Sequence, residues 1–188
     1  VRRLLSASDF VLRVVTVAGH IGAWMAMPLM AFTVVDVVGR RFLNVGSTAL
    51  QEWEWHFHTV LFAACFGFAY VRNAHIRVDL LRARWSTRKK AWMELFGIFF
   101  FMLPYLGLLS YYSWTFVAMS YAQNEASSAF DGLGHRWIIK SALLLMVALL
   151  VLACAAIVLR KIVFLFGPRD LDFRPVTFDR DPEGDARR

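Results

Sequence analysis

Four long apolar stretches dominate the chain, at about residues 14–38, 53–71, 95–119 and 137–166. Crossing the hydrocarbon core of a bilayer takes roughly 20 helical residues at a rise of about 1.5 Å each. Each stretch comes close to that length or exceeds it. Lipid offers no water to satisfy backbone N–H and C=O groups, so a spanning segment is either helical or part of a closed barrel. Runs this long without strict alternation are not barrel strands. The fold class expected is therefore an all-α integral membrane protein with four transmembrane helices. The composition agrees, with 59% hydrophobic and 19% charged residues, where soluble domains carry about half and about a quarter. The first run is too long for the apolar core of a cleaved signal peptide and reads as a retained span.

The charges between the runs set an orientation. Of the 21 Lys and Arg, only Arg40, Arg41, Arg136 and Lys140 fall in the first and third loops. The remainder lie at the N-terminus, in the second loop and in the C-terminal part. The positive-inside rule places those three segments, and with them both termini, in the cytoplasm. Spread in this way, the net charge of +7 serves topology and attraction to anionic phospholipid, and nucleic acid is not an expected partner. Trp53, Trp55, Trp92, Trp114 and Trp137 sit near the ends of the runs, where amphipathic rings prefer the headgroup layer.

The expected organisation has three parts: an N-terminal interfacial segment at 1–13, a four-helix membrane domain at 14–166, and a cytoplasmic tail at 167–188. In the tail Pro168, Pro175 and Pro182 stand among mixed charges, which suits a disordered segment. A second short interfacial helix is expected in the second loop, where Ile76, Leu80 and Leu81 alternate with Arg77, Arg82 and Arg84. Pro28 and Pro104 lie inside apolar runs, and each removes a backbone donor and can kink its helix.

Nothing in the sequence reads as an enzyme. There is no GxSxG, P-loop, HExxH or paired-cysteine pattern, and Cys65 and Cys154 lie singly in apolar runs. A four-helix membrane bundle is also the form of b-type haem anchors, which makes electron transfer the alternative function. Haem needs histidines facing each other across the bundle. His20 lies near one end of the first run, and His56 and His58 near the opposite end of the second, so no such pair is expected and no cofactor is assigned. Asp36, Glu52, Glu54 and Lys140 all fall near the outer face. Ionisable groups at membrane depth are costly and mark pairing or function. Arg40 and Arg41 are close enough in sequence to pair with Asp36, Glu52 or Glu54, and the expected role is an ion-pair cluster or contact with a periplasmic partner.

Three segments carry a resemblance. They are Asp36-Val37-Val38-Gly39-Arg40-Arg41-Phe42-Leu43-Asn44 with Glu52 following; His75-Ile76-Arg77-Val78-Asp79-Leu80-Leu81; and Asn124-Glu125 with Ser127-Ser128, leading to Gly134, Trp137 and Lys140. Their order and spacing, over about residues 9–166, resemble the four-span small membrane subunit (DctQ-type) of tripartite ATP-independent periplasmic (TRAP) transporters. His135 departs from the pattern, standing where a proline is common. The resemblance implies a small scaffold subunit in the bacterial inner membrane. It would support a large multi-span, sodium-coupled permease subunit that takes up an organic acid delivered by a periplasmic substrate-binding protein. It also implies that Arg40 and Glu52 brace the outer hairpin and that His75 and Asp79 order the cytoplasmic interfacial helix. Asn124, Glu125, Ser127, Trp137 and Lys140 would shape the outer loop. Lateral contact with the large subunit would use small residues, Ala63, Ala64, Gly67, Gly97 and Gly107.

Overall fold

A computed structural model of the protein describes residues 2–72, 74 and 85–167. Its elements are α1 (Arg2–Trp24), α2 (Ala26–Phe42), α3 (Thr48–Val71), α4 (Thr87–Gly97), a π-helical turn (Ile98–Met102), α5 (Leu103–Ala122) and α6 (Trp137–Phe166). No strand occurs among the described residues. Three continuous segments are long and apolar enough to cross a membrane: Arg3–Phe42, Thr87–Ala122 and Trp137–Phe166. The 24 residues of α3 measure about 36 Å, but Glu52, Glu54, His56 and His58 dilute the hydropathy of its first half, and α3 falls outside that group. His75 and Asp79, the helix expected around them, and residues 168–188 lie outside the described residues.

Both prolines in the apolar runs leave a mark. Pro28 has no N–H to offer the Trp24 carbonyl, and its ring crowds that carbonyl. The helix breaks there: Met25 is a turn, and its N–H bonds the Gly22 carbonyl at 3.0 Å. The first apolar run is thus two helices and not one straight rod. Pro104 likewise withdraws a donor from the Phe100 carbonyl. The turn before it widens to π geometry, and the Leu103 N–H reaches back to the Ile98 carbonyl. At the other end of the first run, α1 is unbroken from Arg2 through residue 13. Ser8, in these early turns, is fully buried and donates to the Ala156 carbonyl at 3.1 Å.

The centre of the fold is α6, which carries two buried seams at the alternating three-and-four spacing of a knobs-into-holes helix. Val147, Leu150, Cys154 and Ile157 form one, packed against Ile98, Leu106 and Met102 of the π turn and α5. Leu149 and Ala153 belong to the other, packed against Val15 of α1 and Ala64 of α3, with Ala156 buried in line. A helix that is apolar around its girth is the one expected in the middle.

Lipid is as apolar as leucine, so membrane helices gain from close backbone approach through small residues. A Cβ at Gly19 would run into Phe68, and one at Gly67 would meet Leu149 at 3.0 Å and its backbone at 3.2 Å. Ala63 and Ala64 are buried as well. This corrects one expectation. Ala63, Ala64 and Gly67 are used inside the bundle, where α3 meets α1 and α6, and are closed to a partner. Gly97 and Gly107 have nothing within 4 Å and remain open.

Candidate functional site

Ion pairs gather at the two ends of the bundle. The larger cluster joins the α2–α3 hairpin to the loop between α5 and α6. Glu52, in the second turn of α3, is buried. Its carboxylate accepts from the Ser127 hydroxyl and from the Leu133 N–H at 2.6 Å. The loop is closed by its own backbone, with Ser127 N–H to the Leu133 carbonyl and Arg136 N–H to the Glu125 carbonyl, both at 3.0 Å. Glu52 is therefore the peg on which this closed loop hangs. A second tether runs the other way, from loop to hairpin: Asp131 accepts from the Ser47 hydroxyl at 3.0 Å and the Thr48 N–H at 3.1 Å.

Around this pair sit two ion pairs. Lys140 binds Glu125 and lies 4.0 Å from the centre of the Phe116 ring, which ties the start of α6 to the end of α5. Arg40 binds Asp36 one helical turn back. The Gln51 amide oxygen, turned toward the guanidinium, accepts from Arg40 at 2.7 and 3.0 Å, linking α2 to α3. Asn124 and His135 flank the loop in the left-handed region, with φ of 46° and 55°. Asparagine tolerates this and proline cannot adopt it, so the loop here takes a path closed to a chain with proline at 135. Trp137 stands edge-on to Tyr121 at 5.4 Å.

Of the residues picked out from sequence, Glu52, Ser127, Glu125 and Lys140 are brought together, with Asn124 and Trp137 at the loop's flanks. Arg40 braces the hairpin through Asp36 and Gln51, and Glu52 turns away from it to the loop. Glu54 stands apart, in a groove between α2 and α3. Sequence reasoning missed Ser47, Asp131 and Leu133, although Asp131-Gly132 is an ordinary turn signal. It also missed the cluster at the opposite end. There Lys161 of α6 binds Glu94 of α4, and both are largely buried, with side-chain exposures of 4% and 14%. Beside them Arg160 binds Asp9 of α1 and donates to Ser8 at 3.0 Å. His20 lies beside Phe68, twelve residues along α3 from His56, or about 18 Å, so these histidines do not face each other. Among the described residues no group of three His, Cys, Asp or Glu could hold a metal ion.

The geometry is that of a bundle braced by ion pairs at its ends around a central helix that is apolar between them. A family model described as "Tripartite ATP-independent periplasmic transporters, DctQ component" matches residues 29–164. The chain belongs to this family. Comparison with curated proteins and with solved structures found no match. The matched region of this DctQ component takes in α3 to α5, nearly all of α2 and α6, and the whole cluster around Glu52. It is a multi-pass membrane protein and one component of a tripartite transporter.

Acid is expected to loosen the loop tethers of this DctQ component. The Lys140 ammonium holds the Glu125 carboxyl below the usual range, and the Ser47 hydroxyl does the same for Asp131. A carboxylate whose folded pKa is depressed contributes stability above its unfolded pKa and loses it as pH falls through the folded value. The ordinary value is about 4. Amide-exchange protection of Thr48 and of the 123–136 loop is expected to hold from neutral pH to about 5 and to fall below about 4. Protection that instead rises on acidification would contradict the tethers.

Proposed function

We propose that this chain is the small, non-catalytic scaffold subunit of its transporter. In this reading it supports a large sodium-coupled permease subunit during uptake of an organic acid delivered by a periplasmic binding protein. The observation that carries the reading is the apolar interior of α6. From Ala142 to Ile157 its buried residues are all hydrophobic, and ionisable side chains on the helix gather at its ends, in Lys140, Arg160 and Lys161. A solute or ion pathway needs polar groups through the full depth, and the buried face of this central helix offers none between Lys140 and Arg160.

The topology we infer has four crossings, with α1 and α2 together as the first, then α3, then α4 to α5, then α6. At about 36 Å, α3 is long enough to span a core of roughly 30 Å, and it packs between α1 and α6. With the Arg and Lys bias, both termini are then cytoplasmic and the Glu52 loop is periplasmic. Arg40, Glu52, Asn124, Glu125, Ser127, Trp137 and Lys140 thereby lie on the side from which a binding protein approaches.

Reconstitution tests the reading. Vesicles holding this chain alone should accumulate no organic acid under a sodium gradient. Vesicles holding it with the large subunit and the binding protein should accumulate it. Uptake by the chain alone overturns the proposal. Arg40→Ala and Glu125→Ala are expected to reduce complex assembly or uptake, and no change in either quantity would remove the outer cluster from partner contact.

A further inference from the structure

The chain presents several faces to its surroundings, and one is chemically out of place. On α3, Glu54, His58, Leu61, Cys65 and Phe68 recur at the three-and-four spacing that makes a single stripe. The inner part of that stripe is covered by α1. Gly19 lies against Phe68, Gly22 against Ala64 and Cys65, and the Cys65 thiol reaches the Gly19 carbonyl at 3.4 Å. Past the Met25 turn the cover stops. There α2 packs through Phe32 on Trp53 and Phe57, with ring centres at 6.3 and 5.1 Å. A groove is left over Glu54 and His58, with Leu29, Met30, Thr33, Val34 and Trp55 as its other walls.

This groove lies at membrane depth. Counting roughly 20 residues of spanning helix outward from Arg72, the first residue after α3, puts the outer hydrocarbon boundary near Glu52. His58 is then about 9 Å inside it. One Glu54 carboxyl oxygen is buried within this chain without a hydrogen-bond partner among the described residues, and the other is left for a donor from outside. The Thr33 hydroxyl is already committed to the Leu29 carbonyl at 2.9 Å. An acyl chain in the groove would leave a carboxyl and an imidazole in hydrocarbon with nothing to bond, a costly arrangement. The exposed face of α5, with Tyr105, Leu108, Tyr111 and Trp114, has no Asp, Glu, Lys, Arg or His within its span and suits lipid well.

We propose that the α2–α3 groove is the docking site for a transmembrane helix of the large membrane subunit, which places a hydrogen-bond donor against Glu54. This rests on the scaffold reading above and adds the face and the residue through which the scaffold engages. Loss of the Glu54 acceptor is expected to weaken association roughly three- to eighteenfold, the range set by single interhelical hydrogen bonds in membranes.

The test uses the full chain co-produced with the large subunit of its own transporter in membranes. The photo-reactive residue p-benzoylphenylalanine replaces Met30 or Val34 in the groove, or Leu108 or Tyr111 on α5. Adducts to the large subunit are expected from the groove positions and not from α5. Glu54→Leu, which removes the acceptor and keeps bulk, is expected to leave the melting of the isolated chain in detergent unchanged or raised while lowering co-purification of the large subunit. Adducts from α5 only, or lipid adducts alone from the groove of an intact complex, overturn the proposal and leave the scaffold reading standing. So does co-purification of Glu54→Leu at the wild-type level. Failure of the unsubstituted chain to co-purify with the large subunit overturns both.

Discussion

Lys161→Met is expected to destabilise the bundle by about 3 kcal/mol, although it replaces a charged residue with an apolar one inside an apolar helix. Lys161 is buried on the seam of α6 that carries Ile157 and Cys154, and it meets Glu94 on α4. Removing one member of a buried pair strands the other, and the stranded charge costs more than the pair contributed. Glu94→Leu should cost a similar amount for the mirror reason. The double substitution, Glu94→Leu with Lys161→Met, should recover most of the loss, because a well-packed apolar pair replaces a desolvated ionic one. Thermal or SDS unfolding in detergent of all four chains makes the cycle. Losses in the single variants that simply add in the double one would show that the two side chains do not act as a pair.

Glu52→Ala should cost about 3 kcal/mol, since it removes an acceptor from two charge-assisted hydrogen bonds worth about 1.5 to 3 kcal/mol each. The damage should be local. The Leu133 N–H and the Ser127 hydroxyl lose their partner, while the seams of α6 are untouched. Limited proteolysis should open the loop at 123–136 before the helices melt. Glu52→Gln should retain about half of the effect, because one amide oxygen still accepts and the amide nitrogen faces a donor. If the loop of the Glu52→Ala chain stays as resistant as the unsubstituted one, the carboxylate is not what holds it.

The clearest parts of this fold in the sequence were those decided by local physics. The fourth apolar run, at about 137–166, coincides with α6, because nothing charged interrupts it between Lys140 and Arg160. Pro28 announced a disturbance in the first run, but its form, a turn at Met25 dividing two helices, depends on how α2 packs on Trp53 and Phe57. Pairings across the chain were not legible. Glu52 was visible as a costly acid near the outer face, yet its partners are a hydroxyl and a backbone N–H supplied by a distant loop. Glu94 and Lys161 went unnoticed together for a boundary reason. One stands a residue before the third run begins, and the other falls among the basic residues of the C-terminal part, so neither reads as buried from sequence. Small residues misled in the opposite direction. Ala63, Ala64 and Gly67 read as a surface for another subunit, but smallness marks close approach without saying whose helix approaches.

The two seams of α6 run side by side, with Ala153 facing α1 and α3 and its chain neighbour Cys154 facing α5. One rod thus forms the party wall between two rooms of the molecule. Enlarging a side chain on either face of that wall moves it into the room on the other, so α1 and α5, which share no seam, still feel each other's fit.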